Sequence, residues 1–73
     1  MSPGVRLTET QVRVLTAITH KGYTSLSLIA ESAGLNPGLA QRVLDALTRR
    51  NLVIPTESGY VVTARAVRTL AAQ

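Results

Sequence analysis

Gln41 and Arg42 stand side by side, and both side chains can bond nucleic-acid base edges through two hydrogen bonds at once. Arg49 follows seven residues after Arg42, two helical turns along the same face. Ahead of them, Asn36-Pro37-Gly38 has the form of a helix start, with asparagine as N-cap and proline at the first helical position. Pro37 and Gly38 are small, so an anionic phosphate could closely approach the positive end of such a helix. A helix from Asn36 to about Arg50 divides into two faces at about 100° per residue. Leu39, Ala40, Val43, Leu44, Ala46 and Leu47 make a broad apolar arc, with Leu44 and Leu47 at its centre and Leu39 at its border, expected in the core. Pro37, Gly38, Gln41, Arg42, Asp45, Thr48 and Arg49 lie opposite. One face to pack and one to read is what a helix lying in the major groove requires. In that arrangement Gln41 and Arg42 read bases, while Arg49 and the helix N-terminus hold phosphates. Asp45 would repel phosphates and is expected to pair with Arg42 or Arg49.

Other chemistries lack their residues. With no cysteine, disulfides, thiolate metal sites and cysteine nucleophiles are excluded. A single histidine, His20, cannot make a multi-histidine metal site. The four carboxylates, Glu9, Glu31, Asp45 and Glu57, form no recognisable metal-ligand or acid–base constellation. There is no glycine-rich phosphate loop and no nucleophile motif. The chain is expected not to be an enzyme and to need no cofactor or metal.

Around that third helix the rest of the chain supplies a small scaffold. Its 73 residues are 45% hydrophobic, almost all Ala, Val, Leu and Ile, with two Tyr and no Phe or Trp. That is enough for one small core. A flexible tail over 1–6 and a single domain over 7–73 are expected. Thr8 and Gln11 fit a capping box opening a first helix to about Lys21. Val12, Val14, Leu15 and Ile18 face inward, and Glu9 and Arg13 are spaced as an i,i+4 ion pair. A second helix runs from about Ser25 to Ala33, with Thr24 or Ser27 as rival caps. Gly34-Leu35-Asn36 then forces a sharp turn into the third helix. Asn51 suits the left-handed residue after that helix. Leu52-Val53-Ile54-Pro55 and Tyr60-Val61-Val62 bracket a turn at Thr56-Glu57-Ser58-Gly59 and read as a hairpin, with Pro55 on an edge. Thr63 caps a last helix to about Ala72, with Val67, Leu70 and Ala71 inward.

Helix, helix, tight turn, helix, hairpin, helix is the order of a winged helix-turn-helix. The fold expected is mainly α with a small β-hairpin: a three-helix core, a two-stranded wing and a short C-terminal helix. Ile29-Ala30, Ala33-Gly34-Leu35-Asn36, Arg42-Val43-Leu44, Leu47 and Asn51-Leu52-Val53 resemble the family's helix-turn-helix string. Gly59-Tyr60-Val61-Val62-Thr63 is similar to the Gly-Tyr-x-Leu-Thr that closes the wing in many MarR-like bacterial regulators. Two positions depart: Asn51 stands where the family often has glycine, and the short wing carries Glu57 rather than Arg or Lys, which counts against wing contacts with DNA. The resemblance implies a bacterial or phage transcriptional regulator that binds double-stranded DNA through its third helix.

The net charge of +4 suits an anionic partner. The cations are spread, however: Arg6, Arg13 and Lys21 in the first segment, Arg42, Arg49 and Arg50 in the third, Arg65 and Arg68 in the last. The same fold also serves as a protein-interaction module without DNA binding. Leu28, on the outer side of the second helix with Ser27, Glu31 and Ser32, is the residue offering a contact to a homodimer mate or a protein partner. The first residues lead into no apolar signal core, and no apolar run approaches the ~20 residues that span a bilayer. A soluble cytoplasmic protein without a membrane partner is expected.

Overall fold

The computed structural model describes residues 6–73. Residues 1–5, most of the tail expected over 1–6, lie outside the described residues. Four helices and one hairpin follow in the order α1 (Glu9–Thr19), α2 (Leu26–Ala33), α3 (Pro37–Arg49), β1 (Val53–Thr56), β2 (Gly59–Val62) and α4 (Ala64–Ala71).

Each helix begins on a side-chain cap that satisfies an amide the helix itself cannot. The Gln11 amide donates to Thr8 Oγ1 at 3.1 Å and the Thr8 amide to Gln11 Oε1 at 3.0 Å, completing the capping box. Glu9 and Arg13 pair at 2.8 Å on the exposed side of α1. The cap of α2 is Ser25, whose Oγ accepts from the Leu28 amide at 3.3 Å, rather than Thr24 or Ser27. Thr24 is committed elsewhere: its carbonyl accepts the Tyr60 amide of β2 at 2.9 Å, which holds the chain extended there and delays the helix by one residue. Asn36 caps α3, accepting the Leu39 amide at 2.8 Å, with Pro37 at the helix start. Asn51 takes the left-handed conformation after α3, at φ 62°, and the Leu52 amide reaches back to the Leu47 carbonyl at 3.0 Å.

α1, α2 and α3 close on one core. Val14, Leu15, Ile29, Leu44, Leu47, Leu52 and Val53 are its largest fully enclosed side chains, and Leu44 and Leu47 sit in it as their spacing requires. Val12, expected inward, is only half-buried. At the end of α1, Thr19 is half-buried, but its Oγ1 is shut off from solvent and has no hydrogen-bond partner among the described residues. An unpaired buried hydroxyl is costly, whereas an apolar group of the same shape is not. Thr19→Val is therefore expected to raise the unfolding free energy by about 1 kcal/mol, read as a higher midpoint in urea with an unchanged slope.

The hairpin is antiparallel, pairing Val53 with Val62, Ile54 with Val61, Pro55 with Tyr60 and Thr56 with Gly59. Because the Tyr60 amide points away to Thr24, the Pro55–Tyr60 rung is not a hydrogen-bonded pair, and proline costs the ladder nothing. Thr63 ties the hairpin shut. Its amide donates to the Leu52 carbonyl at 3.1 Å, its hydroxyl donates to the Asn51 carbonyl at 2.9 Å, and the same hydroxyl accepts the Ala66 amide at 3.1 Å. This anchor also fixes the rotation of α4. Ala66 turns into the core, and Leu70, one turn on, packs against it. Val67, expected inward, is 45% exposed, and Ala71 is exposed too.

Candidate nucleic-acid interface

The tight Gly34-Leu35-Asn36 turn sets α3 against α2 and leaves its far side open. With Ala40, Leu44 and Leu47 buried, helical geometry places Gly38, Arg42, Asp45 and Arg49 outward, and all four are exposed. Pro37 is exposed beside Gly38 at the helix start. A Cβ on Gly38 would meet only Asn36 Oδ1, at 3.4 Å. Packing does not demand glycine there; Pro37 has no N–H and the Leu39 amide is held by Asn36 Oδ1, so the Gly38 amide is the one left open in the first turn among the described residues.

Arg42 and Arg49 have no hydrogen-bond or ion-pair partner among the described residues; of all the lysines and arginines described, only Arg13 is in an ion pair. Asp45 does not pair with either arginine. Its Oδ1 accepts from Gln41 Nε2 at 3.0 Å, a neutral donor one turn back along the helix. Gln41 differs most from its expected setting. It is half-buried on the flank of α3, and its Nε2 also reaches the Tyr60 hydroxyl at 3.0 Å, while that hydroxyl lies 3.3 Å from Gln41 Oε1. Asp45, Gln41 and Tyr60 thus form a chain joining the third helix to the hairpin. Sequence reasoning overlooked Tyr60 as part of this site. The two residues lie 19 apart, and no local spacing signals such a contact.

Leu39 also departs from its expected setting. Expected in the core, it is 41% exposed, because Ala40 rather than Leu39 fills the contact at the start of the helix. The hairpin tip contributes Glu57, exposed and acidic, and there is no lysine or arginine from Val53 to Val62. Leu28 is 46% exposed on α2, on one wall of a shallow cleft lined also by Lys21, Tyr23, Glu31 and Ser32. No cluster of three histidine or acidic side chains that could hold a metal ion occurs among the described residues.

A three-helix core, a two-stranded wing tied to its third helix and a fourth helix closing the base together define a winged helix-turn-helix protein. Residues 7–58 match the MarR family model, and the chain belongs to the MarR family. No sequence among the curated proteins matches it. Among solved structures it is similar to Lactococcus lactis ZitR, wild type, with a TM-score of 0.82, 22% identity and 96% of this chain aligned to 50% of that one. A second structure of ZitR, in complex with DNA, superposes at a TM-score of 0.81 with 21% identity, over 96% of this chain and 52% of that one. The chain therefore spans about half the length of these relatives.

Proposed function

We propose that the chain binds double-stranded DNA with sequence preference, as part of a transcriptional regulator, by laying the outer face of α3 in the major groove. The observation that carries this reading is the pair of exposed, unpartnered arginines, Arg42 and Arg49, on that face of a MarR-family winged helix. A structural neighbour of the same fold was solved with DNA, which supports the same direction. Arg42 reads a base edge, Arg49 holds a phosphate, and the open Gly38 amide beside Pro37, at the positive end of α3, holds another. Gln41 joins the reading by releasing one of its bonds to Tyr60 or Asp45, so the larger share falls to Arg42. Such a protein works in the cytoplasm without a cofactor and without catalysing a reaction. No helix among the described residues is long and apolar enough to cross a membrane.

The test is a titration of Arg42→Ala against the parent on a duplex selected by the parent from random sequence, at several salt concentrations. Neutralising three to five phosphates gives the parent a slope of log affinity on log salt of about −3 to −5 per domain. Twice that per complex marks a homodimer on two half-sites. Arg42→Ala loses about 1–3 kcal/mol of specific binding and relaxes preference at one base pair, while its stability changes by less than about 0.5 kcal/mol. Unchanged affinity in the variant refutes the reading. A second reading, an interaction module without DNA binding, draws on exposed Leu28. It is favoured if the parent binds no duplex at low salt and Leu28→Ser loses self-association or a protein partner.

A further inference from the structure

We propose that Leu39 is a thymine-reading residue, its exposed side chain packing on the C5 methyl group of a thymine beside the base pair met by Arg42; this rests on the DNA-reading function above. The Leu39 amide is pinned by Asn36 Oδ1 at 2.8 Å, so the backbone at this position is set by the cap. Helical geometry then aligns Leu39, Arg42 and Ala46 at i, i+3 and i+7, one ridge of the outer face. Arg42 is where two ridges meet: Leu39 and Ala46 make an apolar row on one side, and Asp45 and Arg49 a polar row on the other. The single carboxylate of α3 thus lies across Arg42 from Leu39.

Exposed leucines are ordinary on protein surfaces, and position distinguishes this one. Leu28 lies on α2, Ile54 and Val61 face outward from the hairpin, and Val67 lies on α4. Leu39 alone among these large exposed apolar residues shares a helix face with two unpartnered arginines. It also lies in the first turn of the helix, and the N-terminal residues of a recognition helix are the ones that reach base edges. In the major groove each base pair presents donors and acceptors, and the thymine methyl is the apolar feature a side chain can meet there. Leu39 precedes Arg42 by about 4.5 Å along the helix axis, against a base-pair rise of about 3.4 Å, so the two contacts fall within about one or two base-pair steps.

Replacing thymine by deoxyuridine removes the methyl group and leaves base pairing intact, which isolates the contact. The probe is the duplex selected by the parent protein from random sequence, with each thymine replaced singly by deoxyuridine. The parent is expected to lose about fourfold in affinity at one thymine near the Arg42 base pair, the equivalent of one buried methyl-sized group. Leu39→Ala should fold normally, bind the thymine duplex more weakly, and bind the thymine and deoxyuridine forms of that position alike. Leu28→Ala should discriminate as the parent does. A parent indifferent to every replacement, or a Leu39→Ala variant that still discriminates, overturns the inference while leaving DNA reading by Arg42 in place. A parent that binds no duplex at all overturns both, and that result is distinct from either of the others.

Discussion

Leu44→Ala is expected to destabilise the domain by about 2–5 kcal/mol, the range for removing a buried leucine from a core that collapses only in part. Leu44 is fully enclosed at the centre of α3, within the core shared with α1 and α2. In a domain of this size each kcal/mol lowers the melting temperature by about 4–8 °C, and total stability is commonly only about 5–15 kcal/mol. Urea unfolding followed by circular dichroism should show an earlier midpoint with the slope retained. The result also bears on function, because Leu44 and Arg42 are fixed to opposite sides of one helix. A Leu44→Ala protein with the parent's midpoint would mean that α3 is rotated from the orientation described, and Arg42, Arg49 and Leu39 would no longer share an outward face.

Gly59→Ala is the second large effect, expected at about 2–4 kcal/mol from backbone strain and a lost hydrogen bond. Gly59 opens β2 at φ 140°, a conformation L residues rarely adopt. A Cβ there would lie 2.2 Å from the Thr24 carbonyl oxygen, which is the acceptor for the Tyr60 amide. Backbone must move, and the contact that joins the hairpin to the α1–α2 connection goes with it. Gly34→Ala is the control. Gly34 is also left-handed, at φ 73°, but nothing lies within 4 Å of a Cβ, so its cost is only that of the conformation, about 1–2 kcal/mol. Amide hydrogen exchange should show β2 and the Tyr60 amide deprotected in Gly59→Ala and unaffected in Gly34→Ala. Equal effects of the two substitutions would rule out the close approach as the cause. Because Tyr60 also holds Gln41, Gly59→Ala should alter DNA affinity even though neither residue touches the groove-facing arginines.

The Gly59-Tyr60-Val61-Val62-Thr63 string acquires a physical meaning position by position. Glycine permits the approach to Thr24, the tyrosine hydroxyl holds Gln41 and so ties wing to helix, and threonine both closes the hairpin on Asn51 and Leu52 and caps α4. That explains how a short segment so far from the third helix governs the setting of its side chains.

What the sequence determined by itself is what local physics controls. The capping box at Thr8 and Gln11, the Asn36-Pro37 start of α3, the left-handed Asn51 and the inward Leu44 and Leu47 depend on residues within a few positions of one another, and each is present as its spacing requires. The tertiary structure alone decided the rest. Ser25 displaced Thr24 as a cap because Thr24 is bonded to a strand 36 residues away. α4 turned Ala66 rather than Val67 inward because Thr63 is anchored to the end of α3. Leu39 came to the surface, and Gln41 was drawn to Tyr60 instead of standing free. In each case a hydrogen bond or packing contact between distant segments selected among orientations that the local sequence leaves nearly equal in energy, and no periodicity along the chain records which distant group will arrive.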